Sequence, residues 1–164
     1  MSVRLGRTAA LAALLVLVSG RAFAVETTTI VRSGETRLQA TVGRRTVQAS
    51  IKTLVKKAKL YPGETDATAP ERSTVEQVEI SVDGKRVFVP GSVAYRLVIP
   101  LEASLRVVSR ISVLTINGGD ASESYVVKIE FDSKRVRRKI VASRAMPDRP
   151  TEITTYYMPV LEDK

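Results

Sequence analysis

The densest set of chemically capable side chains in this 164-residue sequence is the run Lys134, Arg135, Arg137, Arg138, Lys139 and Arg144. In an extended strand, alternate residues face the same way about 6.6 Å apart, so Arg135, Arg137 and Lys139 are expected to form a cationic ladder. Such a ladder is a candidate contact for an anionic envelope component, such as a lipid headgroup or a teichoic acid, or for an acidic protein surface. The plainer reading is a solvated sheet face, neutralised across a hairpin by Glu130 and Asp132. Nucleic acid is not the expected partner, because no aromatic side chains interleave with the cations to stack on bases. Arg44, Arg45, Lys52, Lys56, Lys57 and Lys59 make a second basic surface, and the whole chain carries a net charge of +9.

The residues that are missing narrow the chemistry further. The chain contains no histidine, cysteine or tryptophan. Thiolate and imidazole metal sites, His-based catalytic triads and imidazole switching near neutral pH are therefore excluded. No cofactor and no metal site is expected. The loop Asn117 to Glu123 is rich in oxygen ligands but matches no calcium-loop spacing, and hairpin turns favour the same residues for backbone reasons. Ser50 and Lys52 would share a strand face, yet that spacing is not the Ser-x-x-Lys of penicillin-recognising enzymes. No pair of carboxylates stands out as a glycosidase pair. The catalytic inventory is thus poor, and an enzyme is not expected. Tyr156, Tyr157 and Met158 form either an exposed aromatic patch for a protein partner or, in the plainer reading, a core residue at Tyr157 with Tyr156 covering its rim.

Residues 1–24 read as a cleaved signal peptide: Arg4 and Arg7 before an apolar run from Ala9 to Val18, then Ala22-Phe23-Ala24 as the cleavage site. An apolar run of about ten residues is too short to span a bilayer, which takes roughly 20. This predicts a periplasmic or secreted protein without a membrane span, its single β-rich domain covering residues 25–164. Without cysteine, packing and sheet hydrogen bonds must hold that domain together.

The elements that would position these groups are strands. From Arg110 to Ser143 the pattern predicts three antiparallel strands. In the middle one, Tyr125, Val127, Ile129 and Phe131 alternate with Ser124, Lys128, Glu130 and Asp132. Asn117-Gly118-Gly119-Asp120 and Asp132-Ser133-Lys134 supply the turns. Arg138 falls on the apolar side of the third strand, which calls for a bulge or a sheet edge.

Upstream, Thr28 to Arg32 and Thr36 to Val42 suggest a hairpin. A long amphipathic strand follows from Val47, whose second half also fits a helical stripe. Tyr61 to Ser73 reads as a loop. Val75 to Val82 and Arg86 to Val89 flank Asp83-Gly84, a strong hairpin signal. A short helix is expected near residues 92–98, with Tyr95 and Leu97 in the core and a possible further helical turn at Leu101 to Leu105. Glu152 to Met158 supplies a final strand.

The fold class predicted is mainly β: an antiparallel up-and-down meander of eight or nine strands forming a sandwich or a small barrel. The function that fits is an exported, non-enzymatic binding protein that engages another macromolecule, possibly as an inhibitor or immunity-type protein. Two alternatives are a binder of anionic envelope components through a basic sheet face and, if the sheet closes into a barrel, a carrier of a small apolar ligand.

Overall fold

Alternation of apolar and polar residues decides which side of each strand is buried. A computed structural model describes residues 24–57, 70–108 and 110–157. In it, β8 (Tyr125–Phe131) turns Val127, Ile129 and Phe131 fully inward. Its neighbours β7 (Ile111–Gly118) and β9 (Val136–Ser143) pair with it on either side. β6 (Pro100–Val108) continues the sheet beyond β7, β1 (Val25–Ile30) closes one margin, and β10 (Pro150–Thr155) closes the other.

A second sheet is built by β2 (Gly34–Val42), β3 (Arg45–Lys57), β4 (Glu71–Val82) and the two-residue β5 (Lys85–Arg86). The inner faces of the two sheets share one core in which Ile51, Ile80, Leu105, Leu114, Ile116, Ile129 and Phe131 are fully buried. Each such side chain contributes roughly 1.5–3 kcal/mol of hydrophobic stabilisation. The sheets form a mainly β, open, sandwich-like pair and do not close into a barrel.

The turns follow the residues that tolerate positive φ. Gly43 (φ 61) opens the two-residue turn between β2 and β3, and Asp83 and Gly84 (φ 51 and 75) form the one between β4 and β5. Asp83 also ties the two turns together, since its Oδ1 accepts the Thr46 N–H at 2.8 Å.

Several expectations need correction. β1 and β2 are not a hairpin: β1 pairs with β6 and β2 with β3, so the chain changes sheets at Val31 to Ser33. That corner is held by Thr53, whose hydroxyl donates to the Arg32 carbonyl, and by the Arg32 N–H, which donates to Thr36 Oγ1. β3 remains a strand to Lys57, and Glu71 to Ser73 belong to β4 rather than to a loop. Leu101 to Leu105 is not helical either. Ala103, Leu105 and Val107 are buried at every second position, and Pro100 sits at the strand start, where no ladder hydrogen bond is lost. β6 is thus the tenth strand, beyond the eight or nine expected.

The helix placed near 92–98 is a single 3-10 turn, Gly91–Val93. Leu97 is buried there, but Tyr95 is 63% exposed. Residues 1–23, on which the signal-peptide expectation falls, Lys59, most of the expected Tyr61 to Ser73 loop, and Met158 lie outside the described residues.

Candidate binding groove and sheet edges

The cationic residues read from the sequence do not form one ladder. The register shifts between Glu130 and Phe131, so Arg137 is an extra residue in β9 and every later side chain changes face. Arg138 is thereby turned outward, where its guanidinium donates two bonds to Glu130 at 3.0 Å. Ile140 and Ala142 move to the outer face with it, instead of sharing the face of Val136.

Lys139 goes the other way. It lies on the inner face opposite Ile129 and is 4% exposed. Its ammonium donates to the carbonyls of Tyr95 (3.1 Å) and Ser92 (3.4 Å). Burial pushes its pKa below the ordinary lysine value, against a weaker opposing pull from Glu152.

Arg137 is exposed and pairs with Asp132 at 2.6 Å, while Arg135 stands at the start of β9, bridged through its backbone to Phe88. Of the three predicted contact residues, only Arg135 and Arg137 reach solvent, and Arg137 is neutralised by a neighbour. The bulge that rearranges them was foreseeable from the misplaced Arg138, but its position one residue earlier was not.

The segment from Val87 to Ile99, missed as a feature in the sequence, behaves as a strap between the sheets. Val87 still donates its N–H to Ile80 of β4, but Phe88 donates to Lys134 and accepts from Val136 on the other sheet. The strap then runs through the 3-10 turn and returns to β4, where the Val75 N–H donates to Leu97 and the Ile99 N–H to Ser73. On the opposite side the Gly119 N–H donates to Ile99, and the Tyr125 hydroxyl donates to Val98 at 2.9 Å. Burial raises the Tyr125 phenol pKa, which keeps it a donor. Arg96 and Ile99 hold positive φ (62 and 50), which is unusual for Ile and shows how firmly these contacts fix the strap.

Because the strap leaves β4 at Val87 and rejoins it at Leu97, no described strand pairs with Glu76–Glu79 on that side. A groove of about 590 Å³ opens there, with Glu76 and Glu79 on one wall and Val89, Pro90 and Lys134 on the other. Phe88, 61% exposed, stands on its rim. The outer face of the four-stranded sheet holds a second depression of about 520 Å³. Its side chains are occupied with one another: Glu35 accepts from Arg37 and Ser50, Gln48 donates to Gln39, and Arg86 pairs with Glu79.

Comparison with protein-family models, with curated proteins and with solved structures returned no match.

Proposed function

We propose that this is an exported, non-enzymatic binding protein whose target is another protein, and that an extended segment of the target adds to β4 within the groove. The observation that carries this reading is the stretch Glu76–Glu79, which no described strand pairs on its groove side, beside the exposed Phe88. Such an edge offers a row of backbone donors and acceptors to an incoming strand, and an aromatic rim gives side-chain selectivity. The window spans four residues, roughly 13 Å of strand. Its walls carry Glu76 and Glu79 as well as Arg86 and Lys134, so a neutral peptide backbone suits it and a polyanion meets like charge. An inhibitor or immunity-type role toward an exported toxin fits the size and the lack of Cys- and His-based chemistry.

The two alternatives have less to rest on. With Lys139 turned inward and Arg137 held by Asp132, the anion-binding reading loses its ladder. The apolar-carrier reading required a closed barrel, and the sheets are open.

The test is selection of peptides from a random displayed library on the purified protein, followed by affinity measurement on variants. Extended, β-branched sequences should be enriched, and Phe88→Asp should weaken them by about tenfold or more. Binding should persist at high salt and in the Arg135→Glu, Arg137→Glu double variant. Ligands indifferent to Phe88→Asp that vanish with salt or with the arginine reversals would move the function to anionic components instead.

A further inference from the structure

Each sheet has two margins, and three of the four are at least partly occupied or shielded. β1 and β2 lie against one another, the Thr27 hydroxyl donating to the Gln39 carbonyl at 3.0 Å. The β4 margin is shared by β5, the strap and the groove. Among the described residues no strand pairs with the outer margin of β10.

The direction of its backbone groups can be read from the ladder. The Tyr156 N–H donates to the Arg137 carbonyl, continuing the register of Thr154 with Lys139 and Thr155 with Arg138. In an antiparallel pair such hydrogen-bonded positions recur at every second residue, so Thr154 also faces inward to Lys139. The N–H and C=O groups of Ile153 and Thr155 therefore point away from the sheet. The first half of the strand is blunted by Pro150 and by a register shift between Pro150 and Glu152. The second half carries no such guard.

We infer that this margin pairs with the same margin of a second copy of the chain, antiparallel, about a two-fold axis at Thr154. In that arrangement Ile153 exchanges both backbone bonds with Thr155 of the second copy, and Thr155 does the same with Ile153, so every outward group on this half-strand is used. The charges allow it. Glu152, the one charged residue of β10, comes opposite the neutral Tyr156 of the copy, so no like charges meet. The side chains favour it as well. Ile153 is 55% exposed and lies beside Ile140 on the outer face, and Tyr157, 84% exposed, follows on the same side of the chain. The two-fold covers both. With the β1 margin held against β2, the pairing stops at a dimer with one continuous sheet of twelve strands instead of propagating into a fibre.

The absence of cysteine makes the test direct. The purified protein should sediment at twice the monomer mass. Thr154→Cys should form an intermolecular disulfide under mild oxidation far faster than Thr41→Cys, placed on the opposite sheet. Thr155→Pro deletes one outward donor, a change that edge strands tolerate, and should return the protein to a monomer. Ile153→Lys, which sets two cations near each other across the axis, should do the same and serves if the proline variant does not fold. A monomer at every concentration, a dimer untouched by both variants, or equal oxidation rates at positions 154 and 41 would each overturn the inference. Peptide binding at the groove involves a different margin, so its success or failure is read separately through Phe88.

Discussion

Asp132 shows how much one side chain can organise. Its Oδ1 accepts the N–H groups of Lys134 (2.7 Å) and Arg135 (2.9 Å), and its Oδ2 accepts from Arg137. Burial alone would raise its pKa. The two backbone donors and the guanidinium outweigh that and hold the carboxyl below its ordinary value of 3.8. The unfolded chain therefore takes up the proton first on acidification. The stability contributed by Asp132 is complete above its unfolded value and is lost as pH falls through the lower folded one. Asp132→Ala should cost about 2 kcal/mol near neutral pH and should remove this part of the acid dependence, as measured by denaturant melts across the acidic range. Arg137→Ala, which removes an exposed partner, should cost under about 1 kcal/mol. Asp132-Ser133-Lys134 was legible as a turn because Asp is a turn residue. That Arg137 pairs with Asp132 was legible too, in the plainer reading that set Glu130 and Asp132 against the cationic face; that Glu130 takes Arg138 was not, because it depends on the bulge.

At the scale of elements, the strands with clean alternation were readable and the ones that change partners were not. β8 buries the residues its pattern predicts, as does β9 up to Arg137, whereas β7, apolar on both faces, buries only Ser112, Leu114, Ile116 and Gly118 and leaves Ile111 exposed. β1 was misassigned to β2 because a short polar link between two strands looks the same whether the strands pair or part. Leu101 to Leu105 in β6 was read as a helical turn because Pro100 and the small Ala103 and Ser104 masked its alternation.

The strap depends on a close approach that only glycine permits. A Cβ on Gly118 would lie 2.5 Å from the Tyr125 hydroxyl oxygen and 2.7 Å from the Ile99 carbonyl oxygen. Gly118→Ala should destabilise the fold by about 3 kcal/mol, because the Ile99 backbone is pinned from both sides and cannot yield. A change in denaturation midpoint worth only a few tenths of a kcal/mol would mean that the strap is free to shift. Gly118 was readable in the sequence as a turn residue. The reason it must be glycine lies in Tyr125 and the strap, both distant in the chain.

For the molecule as a whole, alternation could specify a two-faced sheet without saying whether it closes. Closure depends on whether β10 meets another strand, and strand ends carry no residue pattern that decides it. The order β1-β6-β7-β8-β9-β10 puts the first and last described strands on opposite margins of one sheet. The register puts Val25 and Tyr156 at the same end of the sheet, in line with Val107, Ser112, Phe131 and Val136. Tension applied between these two points runs across the strands and opens each ladder one bond at a time, like a zipper. It never loads many bonds together in shear. Single-molecule extension from residues 25 and 156 should therefore unravel the sheet at low force, and extension along the length of the β3–β4 pair should meet far greater resistance; equal forces in both directions would contradict this. Pulled from residues 25 and 156, the described domain is thus mechanically soft, however stable it is to heat.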